Sequence, residues 1–181
     1  MNPIRTIFSL AFGATLLLAC APQNCRLSPD GQSVIDTANN TMWTRCFAGQ
    51  HYDPAKNRCV GQAWQLNWQE AQQAVKRLSH GGHDDWRLPH KHELQQLVYC
   101  SSGDPAPAGM PRPYTACTGE FHRPVLSPEH FAVRTTWGIW SAHEHGGYPG
   151  SAWYLHLFSG FIGHYDKTKR FYLLPLRSTV L

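Results

Sequence analysis

Asp84-Asp85-Trp86-Arg87-Leu88-Pro89, with the segments on either side of it, decides the fold. Before it, residues 67–78 (NWQEAQQAVKRL) set Trp68, Ala71, Ala74, Val75 and Leu78 three or four positions apart, one apolar stripe on a helix. Asn67 can cap that helix, and Glu70 three residues on can close a capping box. After it, Pro89 suits a helix start, and Glu93, Leu94, Leu97 and Val98 give a second, shorter helix. Trp86 and Leu88 flank Arg87, so an extended link would bury two side chains and send Arg87 the other way. Two short helices joined by a Trp-Arg-Leu-Pro strap form a packing nucleus. The strap holds no nucleophile, and its role is scaffold.

The 181 residues suffice for one domain with a real core, and hardly for two. With 15% charged and 12% aromatic residues and frequent Gly and Pro, the composition suits a loop-rich extracellular domain. A formal charge of +4 without a Lys/Arg cluster argues against a nucleic-acid partner. Residues 1–19 read as a signal peptide: Arg5 is the positive start, and residues 6–18 form an apolar run too short to span a bilayer. The run ends Leu17-Leu18-Ala19-Cys20, which resembles a bacterial lipobox. That resemblance implies cleavage before Cys20, lipid on its sulfur and amino group, and attachment to the membrane. Ala21 after the cysteine, by resemblance to lipoprotein sorting patterns, favours the outer membrane. Residues 20–31 then form a polar tether and residues 32–181 the domain.

Export makes Cys25, Cys46, Cys59, Cys100 and Cys117 disulfide candidates, an odd number. Nearest-neighbour pairing joins Cys46 to Cys59 and Cys100 to Cys117, each closing a short loop for roughly 3 kcal/mol. Cys25 is left to stay a thiol, to pair with another chain, or to displace one of those bridges. Zinc is disfavoured, because no Cys-x-x-Cys occurs.

Residues 34–36 and 41–46 read as strands around the turn Ala38-Asn39-Asn40. Residues 47–58 form a loop of little apolar content. From Cys100 to Thr136 the prolines at 105, 107, 111 and 113 break regular structure, and a loop of that length is functional or disordered. Residues 137–141, 152–158, 161–165 and 171–176 read as strands of a closing meander. The fold class is α+β, two short helices on a small antiparallel sheet with long disulfide-stapled loops.

Four stretches taken in order resemble the motifs of the Lcl C-terminal domain family, named for a collagen-like bacterial adhesin: VIDTANNTMWTRC, AWQLNWQEAQQAV, HDDWRLPHKHELQQLV and WGIWSA…AWYLHLFSGFIGHYDK. The resemblance covers residues 33–177, and the positions of the two short-loop cysteine pairs resemble that family's disulfides. It implies a C-type-lectin-like fold and an exported, lipid-anchored surface protein, and in the namesake adhesin binding to sulfated polysaccharide. Two positions depart from the pattern. His90 replaces a helix-capping Asn or Thr, at a cost of about 1 kcal/mol. Leu174 replaces an Arg in the closing strand, which weakens the carry-over of an anionic-glycan surface.

Arg-Leu-Pro before a helix also resembles the formylglycine-generating-enzyme-like domains, but their oxidase chemistry needs a late cysteine pair, and no cysteine follows Cys117. Calcium-dependent sugar binding would need Glu-Pro-Asn and Trp-Asn-Asp motifs, which are absent. No Gly-x-Ser-x-Gly, His-Glu-x-x-His or phosphate loop supports an enzyme. Of the close histidine pairs, His90 and His92 point apart on a helix, whereas His143 and His145 could converge in a loop; a third metal ligand is missing by spacing. No cofactor is expected. The candidate ligand-binding residues are Arg112, Tyr114, His122, Arg123 and Arg134 in one loop region, and His143, His145 and Tyr148 in another. Arginines can pair with sulfate or carboxylate, and tyrosines can stack on sugar or protein. Glu120, Glu129 and Glu144 are expected to interrupt that basic patch. The expected function is a non-enzymatic envelope lipoprotein that binds a glycan or protein ligand. The alternatives are an assembly subunit, as a homo-oligomer linked through Cys25, and an enzyme using the histidine-rich loops.

Overall fold

A computed structural model describes residues 24–102 and 117–179. The strap is extended: Trp86 and Leu88 are buried, while Arg87 is half-buried. Arg87 N–H donates to the Leu176 carbonyl (2.9 Å), and Leu176 N–H donates back (3.0 Å). The strap thereby adds an edge to a four-stranded antiparallel sheet. That sheet runs β1 (Cys25–Leu27), β2 (Ser33–Asp36), β3 (Thr41–Thr44) and β11 (Leu176–Ser178), in that order.

Helix α1 (Trp68–Val75) begins with the capping box its sequence suggests: Glu70 N–H donates to Asn67 Oδ1 (2.9 Å) and Asn67 N–H to Glu70 Oε2 (3.1 Å). Helix α2 (Lys91–Gln96) starts later than the sequence suggests, with Pro89 ahead of the His90 cap. Glu93 supplies the returning half of the cap, accepting from His90 N–H (2.7 Å), while the His90 ring turns to His143.

The helices lie against opposite faces of a five-stranded sheet. Its order is β6 (Gln65–Leu66), β10 (Phe171–Tyr172), β7 (Gly138–Glu144), β8 (Ser151–His156) and β9 (Phe161–Asp166). Alternation along β7 and β8 sends Ile139 and Leu155 into one buried cluster with Leu94, Leu97 and Val98. It sends Trp140 and Ala152 into another, with Ala71 and Val75. The molecule is α+β, mostly sheet with two short helices.

Four readings of the sequence need correction. The last strands are not a plain antiparallel meander: β10 crosses over the β7–β9 hairpins to lie antiparallel to β6 and parallel to β7, with Tyr172 opposite Ile139. Residues 171–176 are not one strand, because Leu173, Leu174 and Pro175 cross the core between β10 and β11 and so join the two sheets. The loop closed by Cys46 and Cys59 is a hairpin, β4 (Gln50–Asp53) and β5 (Arg58–Gly61), with its turn tied by Asp53 Oδ1 to the N–H groups of Ala55 and Lys56. Finally, the segment read as tether contains β1. There Cys25 is buried, and its carbonyl lies 3.1 Å from Nε2 of the buried His130.

The Cys46–Cys59 and Cys100–Cys117 disulfides are both present. Cys25 is also disulfide-bonded and displaces neither bridge. No helix among the described residues is long and apolar enough to cross a membrane.

Candidate ligand-binding surfaces

The two loop regions singled out in the sequence do not merge. They sit at opposite ends of β8, a strand that spans roughly 17 Å. At the far end, Val125 N–H donates to the Leu157 carbonyl (2.9 Å), which fixes the 121–126 segment beside Phe158. Here Arg123 packs on two phenyl rings, its Cζ 4.6 Å from the centroid of Phe121 and 4.9 Å from that of Phe158. A guanidinium stacked on an aromatic face keeps its N–H edge available for a planar anion. His122 stacks on Tyr99 at 5.6 Å.

His122, Arg123 and Arg134 line a cleft of about 230 Å³, and a residue the sequence reading passed over joins them. Arg45, at the end of β3, is buried; its Nη1 donates to the Gly31 carbonyl (3.1 Å), and its Cζ lies 3.4 Å from the Tyr52 ring centroid. Its buried Nε has no hydrogen-bond partner among the described residues. A buried donor in that state is costly. Among the described residues, no carboxylate lines this cleft. Arg134 is also part of the wall of a neighbouring cleft of about 290 Å³, where Phe47 stacks on Tyr172 (4.6 Å) and Arg58 stands at the rim. Arg112 and Tyr114 lie outside the described residues, as does Cys20.

At the near end of β8 the chain bulges. Ser141, Ala142 and His143 of β7 stand opposite the single residue Trp153. The extra backbone is satisfied from both sides: Trp68 Nε1 donates to the Ser141 carbonyl (2.9 Å), Gln72 Nε2 to that of Ala142 (3.1 Å), and Ala142 N–H to that of Pro89 (2.7 Å). A bulge re-aims side chains, and here it separates the pair expected to converge. His143 meets His90 instead, with Nε2 and Nδ1 2.8 Å apart. His145 meets His164 of β9, ring to ring at 4.1 Å, and also packs on Trp153 (4.8 Å) and Tyr148 (5.0 Å). Tyr148 in turn stacks on His164 at 4.9 Å, and Lys91 Nζ lies 4.8 Å from the Trp153 ring.

Both histidines are held below the ordinary imidazole value of 6.5. For His143 the cause is first desolvation and then the charges of His90, Lys91 and His92, against a smaller opposing pull from Glu93. For His145 it is desolvation, then His164 and Lys91. Glu144 is occupied by Lys167 at 3.1 Å. The remaining close pair, His80 and His83, is structural: their carbonyls both accept from Trp86 Nε1 at 3.1 Å. No group of three or more His, Cys, Asp or Glu among the described residues is placed to hold a metal ion.

Arg45, His90, Lys91, Trp153 and His164 were not combined by the sequence reading. Each belongs to an element remote in sequence from its partners, so no local spacing signals the cluster. No curated protein matches the chain. A family model described as the Lcl C-terminal domain matches residues 32–177, a span that opens just before β2 and ends at Arg177, which closes the strap through Asp85 (Nε to Oδ1, 2.6 Å). With that match over most of its length, and with strap, paired helices and stapled loops in place, the chain belongs to the Lcl C-terminal domain family.

Proposed function

We propose that this chain is a non-enzymatic envelope lipoprotein whose C-type-lectin-like domain binds an anionic glycan. The observation that carries the reading is the convergence of Arg45, Arg123, Arg134 and His122 on one cleft that no carboxylate among the described residues lines. Guanidinium groups recognise sulfate and carboxylate by paired N–H bonds. The rings of Phe121, Phe158 and Tyr172 border the arginines and suit the apolar faces of sugar rings. The lectin-like reading draws support from β11, near the end of the chain, lying beside β3 near its start and closing the domain.

Lipid attachment at Cys20 and export to the outer membrane belong to the same reading and rest on the lipobox-like Leu17-Leu18-Ala19-Cys20. The intact mass of the mature chain tests the attachment: lipid on Cys20 raises the mass above that of the amino-acid residues alone.

A second reading, an assembly subunit acting through protein contacts, draws on Trp137, which is 55% exposed beside Phe171. Binding of the detergent-solubilised full chain to a glycan array at low and moderate salt separates the two. Retention on sulfated or uronic-acid glycans that fades with salt supports the first reading. No retention on any glycan, together with a stable oligomer in light scattering, supports the second.

A further inference from the structure

The region between β7 and β8 is pinned by rings and, at its far end, by Lys167, whose N–H donates to the Gly150 carbonyl (2.9 Å) and whose Nζ donates to that of Pro149 (2.6 Å). Residues 145–150 carry Tyr148, which is 59% exposed, and are tied to the sheet by His145 and Tyr148 against His164. The bulge that leads into them is tied to the cap of α2 by His143 against His90. Within the loop, His145 Nδ1 accepts from Gly147 N–H (3.2 Å), and the loop's ends meet through His145 N–H and the Ser151 carbonyl (3.0 Å). We propose that these two histidine pairs form a proton-operated latch, closed when the imidazoles are neutral, which opens in mild acid to release residues 145–150 from Trp153 and His164.

The chemistry follows from the contacts. Two nitrogens 2.8 Å apart form a hydrogen bond only while one of them lacks a proton. The His90–His143 pair therefore tolerates one added proton and is broken by the second. His145 and His164, with ring centroids 4.1 Å apart, come to carry two like charges in contact once both imidazoles are protonated.

Among the described residues, the carboxylates packed near these pairs are already engaged. From α2 come Lys91 and His92, both basic, and Glu93, which is held by Arg87 of the strap at 2.6 and 2.8 Å. From β7 comes Glu144, held by Lys167. Along β9, Asp166 is engaged by the N–H and hydroxyl of Thr168 at 2.8 and 2.7 Å. Lys91, over the Trp153 ring, faces both pairs and opposes the protonation of each. His143 and His145, held below 6.5, favour the neutral closed state. Its stability is complete above the ordinary value and falls as pH drops through the lowered one. Opening bares the Trp153 ring face that His145 covers and leaves a cationic rim around it.

The test is hydrogen exchange of the full chain in detergent at about pH 8 and about pH 5, corrected for the intrinsic pH dependence of exchange. Amides of residues 145–150 are expected to lose at least about tenfold protection in acid, while those of β8 and β9 keep theirs. In a variant combining His143→Gln and His145→Gln, the protection of this segment should not depend on pH. Unchanged protection in the wild-type chain, persistence of the acid opening in the variant, or loss of protection across β8 and β9 together would each overturn the latch. Should the variant not fold, NMR titration of the wild-type imidazoles serves instead. Each pair must then titrate in two separated steps, and coincident single steps would overturn the proposal.

Discussion

Glu93 shows how much one side chain can hold in this molecule. Its carboxylate accepts from both terminal nitrogens of Arg87 and from the N–H of His90, so it fixes the strap, the start of α2 and the spacing between them. Burial works against its charge, but those three donors outweigh it and keep the carboxyl below its ordinary value of 4.5. A lowered carboxylate contributes stability that is complete above 4.5 and is lost as pH falls through the lowered value. Glu93→Gln should therefore cost about 1–2 kcal/mol near neutrality, discounted because Arg87 is partly exposed, and should flatten the acid limb of stability. Urea unfolding at neutral pH and below pH 4.5 checks both. Trp86 acts by packing: its ring is buried, and its N–H closes the turn at His80 and His83. Trp86→Ala should cost about 3–5 kcal/mol in the same measurement.

Among elements, the helices were the most legible in sequence, because α1 combines an apolar stripe with a complete capping box. The strap was legible for a similar reason: Trp86 and Leu88 alternate with Arg87, and only one pattern buries both. The β4–β5 hairpin was not legible, because its residues are half-exposed or exposed on both faces and no alternation marks them. Nor was the break between β10 and β11, since Leu173 and Leu174 are apolar whether they continue a strand or cross the core. The hairpin also bears on the candidate site, because Cys46 follows Arg45 and Tyr52 of β4 lies under the Arg45 guanidinium. Replacing Cys46 and Cys59 with Ser opens a loop of sequence separation 13 and should cost about 3 kcal/mol in denaturant unfolding. It should also weaken anion binding by freeing Tyr52 from Arg45, which a binding titration of the folded variant would read.

At the scale of the molecule, two surfaces occupy the two ends of β8, and only half of this was readable in the sequence. The residue types of both surfaces were, in Arg123, Arg134, His145 and Tyr148. Their grouping was not, because it depends on the β7 bulge and on Arg45, which arrives from a strand about eighty residues away. The arginine cleft bears the functional reading, so it takes the decisive test. Calorimetric titration of the full chain with a sulfated polysaccharide across a salt series should be compared with the Arg123→Ala, Arg134→Ala double variant. The wild-type chain should bind and weaken steadily with salt, and the variant should fold normally, bind at least about tenfold more weakly and respond less to salt. Equal affinity and equal salt response in both proteins would contradict the cleft as the binding site.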